Sequence, residues 1–211
     1  RVFRRAGSRR VASARAAGAL PAPRHARKML ALAGCVPPSL APDINAATAR
    51  VLDRIGISLI EARPNGKAAG CCGALRFHLN YQERGLDDMR ALIDAWWPYV
   101  EGGAEAIVMT ASGCGVTVKE YGHLLRHDPR YADKAAKVSA LTRDICEVID
   151  TEFARLETLL GRKGGRVAFH PPCSLQHGQN IKGVTEHLLV RAGFELTPVP
   201  DAHLCCGSAG T

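Results

Sequence analysis

The sequence lacks any run of about 18 or more apolar residues, which excludes a transmembrane helix within it. It also lacks a Gly-rich phosphate-binding loop, a His-Glu-x-x-His motif and a recognisable Ser/His/Asp set. The sequence therefore gives no indication of nucleotide binding, of zinc-protease chemistry or of serine-hydrolase chemistry. With 46% hydrophobic and 23% charged residues, the 211-residue chain is long enough to form one substantial core or two small ones.

Acidic residues are missing from the first 28 positions, which hold nine of the 28 Lys and Arg residues. The rest of the chain then carries 19 basic and 20 acidic residues, so the net charge of +8 belongs to this arm. Aromatic residues make up only 5% of the chain, and the arm has no aromatic residue besides Phe3. A basic segment without interleaved aromatics does not predict nucleic-acid binding. We interpret residues 1–28 as a basic linker, with a targeting peptide or an arm that docks on acidic surfaces as alternatives.

Cysteine is the residue type that the chain does use in a pattern. The stretch Cys71-Cys72-Gly73 returns near the end as Cys205-Cys206-Gly207, and the chain has eight cysteines in all. Two adjacent cysteines do not easily form a disulfide with each other, because the peptide bond between them prefers the planar trans form. Without a convincing signal peptide, a reduced cytosolic compartment is favoured, where clustered thiols usually serve metal or redox chemistry.

The first half of the chain alternates apolar runs with amphipathic stretches. We expect strands at Met29–Ala33, Ile57–Ile60 and Ala106–Thr110, separated by a helix from Pro42 to Ile55 and another from Gly85 to about Gly102. A strand–helix–strand–helix–strand order predicts a parallel sheet with right-handed crossovers.

The second half repeats this pattern at a spacing of about 135 residues. It predicts a strand at Arg166–His170, a helix at Asn180–Ala192 and a strand at Phe194–Val199. One long helix is expected to join the halves from Tyr131 to Phe153. The predicted organisation is α/β: a basic arm at 1–28, a first unit at 29–128, a helical connector at 129–165 and an incomplete second unit at 166–211. We therefore expect the chain to be a fragment of a longer protein.

The cysteines follow the predicted carboxyl ends of the strands, where open parallel sheets bind ligands. Cys35, Cys71, Cys72 and Cys114 should therefore converge in the first unit, and Cys173, Cys205 and Cys206 should converge in the second. The alternative for the first set is four buried apolar thiols, but it does not explain the repeat. Cys146 has no counterpart in the second unit and is expected to be a packing residue. His170 and His203 are expected to support the site from outside rather than to bind metal.

This arrangement of cysteines resembles the CCG cysteine-rich domains of heterodisulfide reductases and related redox subunits. The segments Gly70–Asn80, Ile93–Pro98 and Val108–Gly115 resemble, within that family, the iron–sulfur subunits of glycolate oxidases. The resemblance covers about residues 29–211. It implies two tandem βαβ-type units with parallel sheets, the second truncated, and cluster ligation by the seven cysteines named above. The ferredoxin-like motifs that precede these units in the family are absent from this sequence.

The resemblance further implies an electron-transfer subunit that carries an iron–sulfur cluster, taken as [4Fe–4S], and that does not itself oxidise glycolate. Its partners would be flavin-containing subunits, which hold the FAD, and the membrane quinone pool. Its location would be the cytoplasm, including the cytoplasmic face of the inner membrane. One departure matters: heterodisulfide reductases have Cys-x-x-Cys where this chain has Ala111 and Cys114. The alternatives are therefore a structural zinc-binding interaction module and a heterodisulfide-reductase-type redox subunit.

Overall fold

The computed structural model describes residues 18–66, 69–161 and 164–205. Most of the basic arm, Cys206 and part of the loop around Lys163 lie outside the described residues, as do the predictions made for them. None of the helices in the described part of the chain is both long and apolar enough to cross a membrane.

The first unit alternates strands and helices as the sequence predicts. Its elements up to the third strand are β1 Arg27–Ala31, α1 Pro37–Leu40, α2 Pro42–Arg54, β2 Ile57–Glu61, α3 Ala74–His78, α4 Gln82–Glu101 and β3 Ile107–Met109. Then come α5 Ser112–Lys119, α6 Tyr121–Leu124, α7 Ala132–Leu141, β4 Thr142–Asp144 and α8 Ile145–Glu157.

A four-stranded parallel sheet with the order β2-β1-β3-β4 forms the centre of this unit. In the register, Arg27 lies opposite Ile57, and Ile107 lies opposite Thr142. All three residues of β3 are buried, as expected for a strand covered on both faces. Because the strands are parallel, their carboxyl ends meet at one edge of the sheet.

Helices cover both faces of the sheet. Because successive side chains of a strand point to opposite sides, neighbouring residues of one strand pack against different helices. Leu30 of β1 packs in a cluster with Ile93 and Trp96 of α4. The neighbouring Met29 belongs to a second cluster with Leu52 of α2. Fully burying a large apolar side chain of this kind contributes roughly 1.5–3 kcal/mol. These two clusters hold the strand ends, and hence the cysteine loops, in place.

The predicted single helix from Tyr131 to Phe153 is wrong. α7 ends at Leu141, and the chain then forms β4, which pairs with β3 at the edge of the first sheet. The helix is interrupted because Asp144 caps α8: its carboxylate accepts from Cys146 N at 3.1 Å, and Glu147 accepts from Asp144 N at 2.8 Å. The segment predicted as a helical connector therefore adds the strand β4 to the first sheet, and the helix α8 follows this strand. The boundaries of the two units stay predictions.

The second unit consists of β5 Arg166–Ala168, a π-helical turn at Ser174–Gly178, α9 Val184–Arg191 and β6 Glu195–Thr197. β5 and β6 are parallel, which confirms the α/β class of both halves. α9 is shorter than the predicted helix because Asn180 has a φ of 54° and Gly183 a φ of 74°, both incompatible with a right-handed helix. α9 packs on α8 around Phe153 and Leu188.

Candidate functional site

Three loops at the carboxyl edge of the first sheet bring four cysteines together. Cys35 follows β1, Cys71 and Cys72 lie in the loop after β2, and Cys114 lies in the first turn of α5 directly after β3. All four line one cavity of about 590 Å³. The convergence expected from the strand order is thus present in the structure.

The four thiols differ in exposure and in acidity. Cys72 is buried, Cys71 and Cys114 are half-buried, and Cys35 is exposed. A hydrogen bond from the Cys114 side chain lowers the pKa of Cys72 to about 7, against the opposing effect of burial. The same hydrogen bond, together with burial, raises the pKa of Cys114. Burial also raises the pKa of Cys71, which lies beside Cys35. The hydrogen bond from Cys114 thus favours the thiolate form of Cys72, which is the form that binds metals.

Gly73 sets the shape of the vicinal cysteine loop. Its φ of 83° lies in the left-handed region, and its N–H donates to the Cys71 sulfur at 3.4 Å. A Cβ at this position would stand 2.5 Å from the carbonyl oxygen of Gly85 in α4. The glycine thus allows the loop to turn tightly against α4 and to direct a backbone donor at sulfur.

Tyr121 supports the same loop through a buried hydrogen bond. The side chain is fully buried, and its hydroxyl donates to the backbone oxygen of Cys72 at 2.8 Å. Burial raises the pKa of this phenol well above its usual value, which keeps it a donor. Tyr121 was not predicted from the sequence, because a contact spanning 49 residues leaves no local pattern.

We expect Tyr121→Phe to lower the free energy of unfolding by about 1–3 kcal/mol, because the Cys72 carbonyl is left buried without a partner. The variant should also change the spectroscopic signature of any group held by Cys72. Urea unfolding and EPR of the full-length protein measure these effects. Tyr131→Phe is the matched control, since that hydroxyl donates to Asp94 at 2.6 Å rather than to a cysteine loop. An identical EPR spectrum for the wild type and Tyr121→Phe would contradict the supporting role.

The remaining lining of the cavity is mainly apolar. Val36, Ile44, Leu75 and Leu79 contribute large exposed side chains at its mouth. Among the described lining residues there is no Asp, Glu, Lys or Arg, and His78 is the ionisable residue besides the cysteines. An apolar surround lowers the local dielectric, which affects the reduction potential of a group bound there.

The four thiols are a donor set that fits an iron–sulfur cluster. Within residues 18–66, 69–161 and 164–205, no three His, Cys, Asp or Glu side chains are grouped so that they could hold one metal ion. Four thiolates are the usual ligand set of an iron–sulfur cluster. Four cysteines around one open cavity match that requirement. Ala111 also lines the cavity and adds no sulfur.

The second unit holds its cysteine loops together with polar side chains. Cys173 precedes the Ser174–Gly178 turn, and Cys205 lies in the loop after β6. The buried Gln176 donates to the backbone oxygens of Pro171 and Ala202, at 3.0 and 2.8 Å. The ring of His170 lies 3.2 Å from the Leu204 oxygen, and that of His177 lies 3.0 Å from the His203 oxygen. These contacts tie the Cys205 loop to the Cys173 loop.

The ring of His170 contacts the backbone of the Cys205 loop, and its supporting role stays a prediction. Gln176 and His177 do the same work and were not predicted, because isolated polar residues in a loop give no periodic signal. Cys146 packs against Phe153 and Ile181, and burial raises the pKa of its thiol to about 12. It is thus a packing residue, as the sequence indicated.

Comparison with known proteins places the cysteine pattern among related chains. Residues 29–119 and 167–211 match the family model described as CCG, cysteine-rich domain. The glycolate oxidase iron-sulfur subunit of Escherichia coli (strain K12) is 56% identical over 90% of this chain and 46% of its own length. Lactate utilization protein A of Geobacillus thermodenitrificans (strain NG80-2) is 28% identical over 80% of this chain and 67% of its own. The chain thus spans about half the length of the first of these relatives.

Proposed function

The chain belongs to the CCG family of cysteine-rich domains, and on this basis we propose that it is the iron–sulfur electron-transfer part of a 2-hydroxy-acid dehydrogenase acting on glycolate. One observation carries the proposal: the four cysteines of the first unit line a single cavity at the carboxyl edge of the sheet. The 56% identity to a glycolate oxidase iron-sulfur subunit supports the choice of substrate.

In this proposal Cys35, Cys71, Cys72 and Cys114 hold a [4Fe–4S] cluster. When bound, such a cluster supplies one-electron transfer without proton chemistry of its own. The protein contributes thiolates, a backbone N–H aimed at the Cys71 sulfur, and a mainly apolar lining. Hydrogen bonds and exposure around the sulfurs set the reduction potential.

The second unit supplies Cys173, Cys205 and Cys206 as ligands of a further cluster. Support comes from the contacts of Gln176 and His177, which join the loop after β6 to the turn after Cys173. Cys206 lies outside the described residues, and its assignment as a ligand rests on the repeat in the sequence alone.

The partners in this proposal are flavin-containing subunits, which hold FAD and oxidise the 2-hydroxy acid, and a quinone of the membrane as the acceptor. The apolar mouth of the first cavity supports a contact there, because exposed apolar patches beside a functional site are typical of interaction surfaces. This chain does not itself oxidise glycolate. It works in the cytoplasm, with attachment to the membrane through the complex.

The two alternatives have less support. The described side chains offer zinc no grouped ligand set, so a structural zinc module is disfavoured. A redox subunit of the heterodisulfide-reductase type would need the cysteine that Ala111 replaces.

Anaerobic purification of the full-length protein tests the proposal through analysis of iron, acid-labile sulfide and zinc alongside EPR. We expect iron and sulfide in equal amounts, a broad visible absorption and an EPR signal on reduction by glycolate through the flavin subunits. A colourless protein that holds zinc and no iron would overturn the proposal.

A further inference from the structure

The helix that carries Cys114 packs directly on the turn that follows Cys173. The hydroxyls of Ser112 and Ser174 lie 2.7 Å apart and form a hydrogen bond between the units. Ser112 is the first residue of α5, and Ser174 is the first residue of the π-helical turn. Each of these serines is thus within two residues of a cysteine of its own unit.

Gln179 extends this contact into the first sheet. Its side-chain Nε2 donates to the Ser112 backbone oxygen at 3.1 Å and to Asp144 Oδ2 at 3.3 Å. Asp144 ends β4 and caps α8. One amide from the second unit therefore bridges the start of α5 and the end of β4.

Two glycines leave room for side chains of the other unit in this contact. A Cβ at Gly178 would stand 2.5 Å from Cγ2 of Val116, and a Cβ at Gly115 would stand 2.6 Å from Nε2 of Gln179. Neither glycine has a positive φ, so the need for glycine here comes from the approach of the two segments and not from backbone conformation. We refer to Ser112, Gly115, Val116, Ser174, Gly178 and Gln179 as the inter-unit contact.

From this geometry we infer that the inter-unit contact positions Cys114, so that residues of the second unit determine the placement of a thiol in the first. Gln179 is the main positioning residue, because it holds the first turn of α5 through the Ser112 carbonyl. The contact also fixes the turn after Cys173, so the positions of the two cysteine sites depend on each other. The inference rests on the proposed function only in treating these thiols as ligands.

The test uses the full-length protein without metal and measures the alkylation rate of each cysteine by mass spectrometry. In Gln179→Ala we expect Cys114 to react about fivefold faster, the factor given by losing a hydrogen bond worth ~1 kcal/mol, while Cys35 keeps its rate. Gly178→Ala should act in the same direction by pushing Val116 and α5 away. Gly165→Ala is the matched control in the second unit, because nothing lies within 4 Å of the added Cβ.

An unchanged Cys114 rate in folded Gln179→Ala would overturn the inference, as would an equal rise at Cys35 and Cys114, which indicates general loosening. If Gly178→Ala does not fold, Gln179→Ala decides alone, since it removes atoms rather than adding them. EPR of the metal-loaded variants gives a second readout, in which the signal of the first unit shifts. Because the alkylation test needs no metal, it stands even if the iron–sulfur proposal fails.

Discussion

We expect the replacement of Cys114 with serine in the full-length protein to remove the cluster proposed for the first unit and to leave the fold in place. The hydroxyl is close in size to the thiol and can still donate to Cys72, so the first turn of α5 keeps its contacts. Iron binds an alcohol oxygen far more weakly than a thiolate. We expect at least a ~100-fold loss of cluster affinity, since even residues that only support a metal ligand contribute 10–100-fold.

Iron and sulfide analysis, visible absorption and circular dichroism measure the outcome for Cys114→Ser. Cys146→Ala is the control, because it removes a buried thiol that lies in a packing cluster and not in the cavity. That variant should keep its full absorbance and lose some stability. If Cys114→Ser retains the iron content of the wild type, Cys114 is not a ligand. If it instead unfolds and releases zinc, the structural zinc hypothesis is correct.

The convergence of the first-unit cysteines could be predicted because it depends on strand order alone. Cys35, Cys71 and Cys114 each follow an apolar run, and parallel strands carry their carboxyl ends to one edge whatever the detailed packing. Gly73 then lets the vicinal cysteine loop pack closely against α4.

The fourth strand could not be predicted from hydrophobic periodicity. β4 has only three residues, one of them the exposed Arg143, so its apolar content is lower than that of the flanking helices. Its position is set by pairing with β3, which is a tertiary contact. The capping box of Asp144 and Glu147 was visible as Asp-x-x-Glu and would have indicated a helix start at this point.

The residues that support the cysteine loops are a third kind of feature, and no local sequence pattern reveals them. Tyr121 reaches Cys72 across 49 residues, and Gln179 reaches Ser112 across 67. In the sequence, a tyrosine in a helix and a glutamine in a loop look like ordinary surface residues, and only the fold brings them to the site. Sequence thus identifies the candidate ligands, whereas the residues that hold the ligands in place require the structure.

The loop that carries Cys71 and Cys72 gives the second large expected effect. Gly73→Ala introduces a side chain at a φ of 83°, which costs ~1–2 kcal/mol, and it also sets a Cβ 2.5 Å from the Gly85 carbonyl. Crowding of this kind adds about 1–3 kcal/mol unless the backbone moves, so we expect a total loss of about 2–5 kcal/mol in the free energy of unfolding. If the backbone moves to relieve the crowding, the vicinal cysteines are displaced from α4. We therefore also expect loss of the cluster.

Gly103→Ala separates the two causes, because Gly103 has a φ of 84° and nothing within 4 Å of an added Cβ. This control should lose only the ~1–2 kcal/mol of backbone strain and keep its iron. Urea unfolding with iron analysis of both variants provides the comparison. Equal destabilisation of the two variants, with the cluster intact in both, would mean that the approach of Gly73 to α4 does not hold the cysteine pair in place. A larger loss at Gly73 together with loss of iron ties the stability of this loop to the ligation of the cluster.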